Sequence, residues 1–242
     1  MTRAFRPAIF FTFILLLATP ARAESALEHH TAPMLHAAAE KAAAFAENNY
    51  AFTVEHWSKE GDDEIVATVR FDPRREKGER WALLAPAYED LNKAGRKALK
   101  ALEKSKTEDH PLLYDKLNEM VEKAELVEET ETHAVFVAQV DEDDFPKDAL
   151  EVFITLDKAG EYVSSISVRS KKPFKPMPIA KVEHLIQTQH FAAPDEDGAP
   201  AFLARTEGIV SGEAMFRDFK SETRQVFSDI ELVEIAADSA GE

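Results

Sequence analysis

Period-two alternation of apolar and polar residues is the feature that most narrows what this chain can fold into. Ile65, Ala67, Val69 and Phe71 fall on one side of an extended chain and Glu64, Thr68 and Arg70 on the other, with Val66 the exception. Phe136, Ala138 and Val140 repeat the pattern, as do Val152, Ile154 and Leu156, and then Tyr162, Ile166 and Val168. Asp157-Lys158-Ala159-Gly160 reads as the hairpin turn between the last two segments. Leu185 to Phe191, Phe202 to Gly208 and Thr223 to Ile230 follow, interrupted by turn-like Pro194-Asp195-Glu196-Asp197-Gly198 and by Ser211-Gly212. Short loops and one-sided alternation predict an antiparallel meander of about nine or ten strands with one wet face.

Three segments follow the helical period instead. Thr31 precedes Pro33, a residue that costs nothing at a helix start, and Leu35, Ala38, Ala39, Ala42, Phe45 and Ala46 recur three and four residues apart. From Tyr88 to Leu102, the residues Tyr88, Leu91, Gly95, Ala98, Leu99 and Leu102 share a face opposite Lys93, Arg96, Lys97 and Lys100. Leu113, Leu117, Met120, Val121 and Ala124 form a further apolar face. A single sheet of so many strands must curl, because each strand is rotated against its neighbour by about 20 to 25°. The expected fold is α+β: an open antiparallel half-barrel with an N-terminal helix and a helical pair packed on its concave face.

Residues 1–23 read as a secretory signal peptide. Arg3 and Arg6 precede an apolar run from Pro7 to Ala18, and Ala21-Arg22-Ala23 is the small-x-small pattern at which a signal peptidase cuts. The run is too short for the roughly 20 helical residues that span a bilayer. Cleavage after Ala23 would release a periplasmic protein that is not membrane-spanning, with one domain over residues 24–235 and a disordered tail over 236–242. With no cysteine in the chain, lipidation at the new N-terminus is excluded, as are disulfides and thiol chemistry. The mature chain would hold 26 basic and 45 acidic residues. A field of that sign repels phosphate backbones and anionic lipid head groups, so no nucleic acid is expected as a partner and electrostatic adhesion to a membrane surface is disfavoured.

No catalytic group is expected. Gly208-Ile209-Val210-Ser211-Gly212 places its serine one position too late for a nucleophile elbow, and the eight scattered glycines form neither a dinucleotide nor a phosphate-binding loop. No metal or other cofactor is expected either. His29, His30 and His36 read as surface residues, and Asp141–Asp144 and Asp195–Gly198 as solvated turns without the calcium-loop spacing. His184 and His190 read as outward-facing, and Trp57 as core.

The layout of signal peptide, N-terminal helix, incomplete antiparallel barrel and helices across its mouth resembles the periplasmic lipoprotein-carrier superfamily of LolA-like half-barrels. Arg70-Phe71-Asp72-Pro73 followed by Gly78-Glu79-Arg80-Trp81-Ala82-Leu83-Leu84 is similar to a stretch of secreted proteobacterial proteins. The resemblance implies a non-catalytic carrier or binding protein for a lipid, a lipoprotein acyl chain or another apolar ligand. An apolar groove suffices for that task, since each buried methylene contributes about 0.8 kcal/mol. The candidate lining is Ile65, Val69, Phe71, Trp81, Leu83, Phe136, Val152, Ile154, Leu156, Ile166 and Val168, with Leu99, Leu102, Leu113 and Leu117 on the lid. The alternative is an envelope structural or interaction protein in which the same residues fill a solid core and the partner is another envelope protein.

Overall fold

Strand β1 (Tyr50–Glu60), the first of the sheet, lies beside β11 (Arg217–Leu232), the last. They pair antiparallel from Tyr50↔Leu232 to Glu60↔Ser221. The computed structural model describes residues 28–46, 48–76, 78–103, 117–122, 124–139, 148–195, 199–215 and 217–234. Helix α1 (Glu28–Ala46) precedes β1, and β2 (Asp63–Phe71) and β3 (Trp81–Ala85) follow it. A 3-10 turn at Tyr88–Asp90, α2 (Lys93–Glu103) and α3 (Leu117–Val121) come next. The second run of strands is β4 (Glu125–Glu129), β5 (His133–Gln139), β6 (Leu150–Asp157), β7 (Tyr162–Ser170), β8 (Phe174–Met177), β9 (Ala180–Phe191), β10 (Leu203–Ala214) and then β11.

All eleven strands belong to one antiparallel sheet in the order β3-β2-β1-β11-β10-β9-β7-β6-β5-β4, with β8 paired to β9 beside that path. The sheet is not closed: β3 and β4 are its two ends. The ten strands of the path make nine spacings, roughly 43 Å along the sheet. Because β3 and β4 are consecutive in sequence, the segment between them links the two ends of the sheet. Its described helices, α2 and α3, both lie on one face. α2 packs on β2 and β3, α3 on β5, and α1 on both α3 and β7.

The apolar residues of that covered face join the helices in one core cluster. Leu35, Ala38, Ala39 and Ala42 come from α1, Leu117 and Val121 from α3, and Phe136, Val152, Ile154, Leu156 and Val163 from β5 to β7. A second, smaller core of Ala149, Leu150, Phe174 and Val182 sits under the start of β9. At the β4 end, Lys158 Nζ donates to Glu129 Oε1 at 2.8 Å and to the Thr130 carbonyl at 2.9 Å, tying the β6–β7 turn to β4.

Several expectations need correcting. Eleven strands are present among the described residues, and β1, β3, β4 and β8 lack clean alternation in their sequences. Ser211-Gly212 is not a turn; it lies inside β10, where the register against β9 shifts. Gly212 is needed there, because a Cβ would sit 2.0 Å from the Lys181 carbonyl oxygen. The N-terminal helix does not start at Pro33. It is already formed at Glu28, with Pro33 inside it and Thr31 buried. The helix expected from Tyr88 starts at Lys93, because Leu91 is extended and Asn92 forms the cap. The hairpin turn at 157–160 is present, with Gly160 N donating to Asp157 Oδ1 at 2.7 Å. Residues 1–27, Asp141–Asp144 and 235–242 lie outside the described residues, and with them the signal peptide, its cleavage site and the tail.

Candidate ligand-binding site

Strand register places the residues under α2 in rows. Trp81 lies beside Phe71, which lies beside Phe52. The next row is Leu83, Val69, Val54 and Phe227, and the row after that Ala67, His56 and Gln225. Ile65 and Ser58 follow, toward the β1–β2 turn. Alternation puts all of them on the covered face. The first row is a tight aromatic group, with ring centroids 5.1 Å apart for Phe52–Phe71, 5.0 Å for Phe71–Trp81 and 5.8 Å for Phe52–Trp81. Polarity therefore rises row by row, from an aromatic floor to a rim that holds an imidazole and an amide.

Above these rows lies a hollow of about 350 Å³. The sheet lines it with Val54, His56, Ile65, Ala67, Val69, Trp81, Leu83, Gln225 and Phe227, α2 with Gly95, Ala98 and Leu99, and the turn ahead of α2 with Leu91. The helix is held over it at its N-terminal end. Asn92 Oδ1 accepts from Gly95 N at 2.7 Å, capping the helix, while Asn92 Nδ2 donates to the Glu64 carbonyl on β2 at 2.8 Å. One side chain thus both starts α2 and fastens it to the sheet. Gly95 and Ala98 face the hollow with almost no volume, which leaves it open.

His56 is the titratable group among the lining residues. Its Nε2 is 3.1 Å from Ser58 Oγ, and its Nδ1 is 3.4 Å from Gln225 Nε2. Burial pushes its pKa below the ordinary value, so the imidazole is neutral at pH 7. The hollow accordingly offers apolar contact and neutral hydrogen-bonding groups, but no charge from its lining. Gln225 continues a polar row across the sheet, with Thr206 and Gln189 next in register on β10 and β9.

The residues expected to line a groove separate into two sets. Ile65, Val69, Trp81, Leu83 and Leu99 border the hollow, and Phe71 lies under it against Trp81. Phe136, Val152, Ile154, Leu156, Ile166 and Leu117 are buried in the core with α1 and α3, and Val168 is packed partly buried against it. The side chain of Leu102 and all of Leu113 lie outside the described residues. Val54, His56, Ala67, Gln225 and Phe227 were missed, along with Leu91, Gly95 and Ala98 as lining residues. The helix residues share the apolar face legible in the sequence, whereas His56 and Gln225 are polar and 169 positions apart.

The remaining histidines stand apart from this site. His36 and His184 are exposed and His190 is half-buried on the opposite sheet face. Trp57 also lies on that face, where its indole N–H donates to Glu64 Oε1. Among the described residues, no three His, Asp or Glu side chains gather as a metal site, and no helix is long and apolar enough to cross a membrane.

No protein family model matches the chain, and no curated protein matches it. Among solved structures it is similar to the crystal structure of a LolA superfamily protein from Nitrosomonas europaea, at 10% identity and a TM-score of 0.38, over 86% of this chain and 97% of that one. A likeness at that distance carries no functional argument.

Proposed function

We propose that this chain is an exported, non-catalytic binding or carrier protein for an amphiphile, whose apolar tail occupies the hollow between α2 and a concave sheet face. The observation that carries the reading is the hollow itself. Its volume of about 350 Å³ lies within the range of small-molecule sites, which begins near 300 Å³. At ~30 Å³ per heavy atom it accommodates about a dozen. A dozen methylenes contribute about 10 kcal/mol of gross transfer free energy, enough to bind after the costs of association are met.

The gradient of the rows supports an orientation. The tail lies against Trp81, Leu83 and Phe227, and the head lies near His56 and Gln225, where a neutral imidazole and an amide supply hydrogen bonds. Export rests on the basic, apolar and small-residue pattern of residues 1–23.

Titration of the full mature chain with a fluorescent long-chain fatty acid, together with mass spectrometry of organic extracts of the purified protein, tests the reading. Saturable binding that Ala67→Trp abolishes, with the denaturation midpoint retained, supports it. Absence of both binding and a co-purifying amphiphile overturns it and leaves the alternative of an envelope interaction protein.

A further inference from the structure

We propose that the adjoining tips of the β8–β9 and β10–β11 hairpins form a docking surface for an anionic lipid bilayer. Residues 169–181 hold Arg169, Lys171, Lys172, Lys175 and Lys181 and no acid, in a chain whose formal charge is −16. The fold brings the β10–β11 turn against this segment. Glu213 and Ala214 pair with Lys181 and Ala180, and Met215 N donates to the Ile179 carbonyl at 3.0 Å. The close approach depends on Gly212, which leaves room for the Lys181 carbonyl.

Two large apolar side chains stand exposed at the joined tips, Ile179 at 62% and Met215 at 70%. They border one hollow with Lys175, Pro178, Ala180, Lys181 and one acid, Glu213. The small core around Phe174 and Val182 anchors the β8–β9 turn from beneath, so the exposed residues project from a supported platform. Two of the lysines are neutralised locally, Lys171 by Glu151 at 3.3 Å and Lys181 by Glu183 at 2.9 Å. Lys172 and Lys175 are exposed and make no ion pair among the described residues.

Exposed apolar side chains beside Lys175, on a segment whose charged residues are all basic, match the boundary of an anionic membrane, where the apolar pair enters the acyl layer and the lysines of the segment meet lipid phosphates. Net negative charge elsewhere repels such a surface and so orients the molecule tips-first. The proposal stands apart from the reading of the hollow under α2, since the tips bind lipid whether or not that hollow does.

Co-sedimentation of the full mature chain with vesicles tests it. Binding is expected to vesicles of equal parts phosphatidylcholine and phosphatidylglycerol at low salt, and to be roughly tenfold weaker with phosphatidylcholine alone or at high salt. Ile179→Asp with Met215→Asp, and separately Lys172→Glu with Lys175→Glu, each reduce binding roughly tenfold, while Lys97→Glu on α2 leaves it unchanged. Far-UV circular dichroism and the urea denaturation midpoint establish that the variants are folded. Absence of binding to the anionic vesicles overturns the proposal, as does binding that Lys97→Glu removes and the tip substitutions do not.

Discussion

Ile154 and Ile65 both project from the covered face of the sheet, and their surroundings are opposite. Ile154 is wholly buried among residues of β5 to β7 beneath α1 and α3, while Ile65 borders the hollow beneath α2. The sheet is largely apolar in both places, with His56 and Gln225 the polar members of the hollow's lining. What differs is the cover. Two helices bring Leu35, Ala38, Ala42, Leu117 and Val121 down onto one half of the face, and these fill the space over the strands. A single helix covers the other half, and two of its three lining residues are Gly95 and Ala98. Solid core and hollow thus follow from the number of helices and the size of the residues they turn inward. Between the two halves runs the polar row of Gln189, Thr206, Gln225 and His56.

The contrast is sharpest in stability. Ile154→Ala leaves a cavity in a packed region and is expected to cost about 3 to 4 kcal/mol, against about 1 kcal/mol or less for Ile65→Ala, which enlarges space already present. Urea denaturation of both variants measures this, and equal losses would show that the hollow is as tightly packed as the core. A smaller effect is expected at the fastening of α2. Asn92→Ala removes the cap and the bond to Glu64, at about 1 kcal/mol, and amide exchange should quicken in α2 while α1 keeps its protection. Matching acceleration in both helices would mean that the two covers are one cooperative unit.

The smallest effect is the pH response of His56. Burial lowers its folded-state pKa from the ordinary 6.5, so just below that pH the unfolded chain takes up more protons than the folded one. The stability contribution of the neutral ring is complete above about pH 6.5 and declines as the pH falls toward the folded value. His56→Gln should flatten that part of the stability profile, as read from urea denaturation midpoints measured on both sides of pH 6.5.

Where one face of a strand is apolar and the other wet, the strand was legible in the sequence. β2, β6 and β7 alternate openly, and so were placed within a residue or two. β1 was not, because Tyr50, Ala51, Phe52, Thr53 and Val54 are all buried, which erases the alternation, and a register shift between Ala51 and Thr53 disturbs it further. β8 holds Pro176 and has only four residues. For the site, apolarity identified Ile65, Val69, Trp81, Leu83 and Leu99, but it also gathered Val152, Ile154 and Leu156, which have the same pattern and a different cover. Periodicity reports which face a residue occupies. It carries no information about whether a distant helix fills the space above, nor that Gln225 lies beside His56.

Both ends of the ribbon of strands are places where another copy of the chain could add itself by backbone pairing, a usual route to aggregation. Each terminal strand is only five residues long. On β4, the exposed Glu125 and Glu128 meet any approaching strand with negative charge, and the incoming copy carries the same net sign. On β3, Pro86 follows Ala85 and supplies no amide hydrogen to extend the ladder. An unclosed sheet of this size is therefore guarded against polymerising at one margin by electrostatic repulsion and at the other by a missing donor, and it remains a finite object without having to become a barrel.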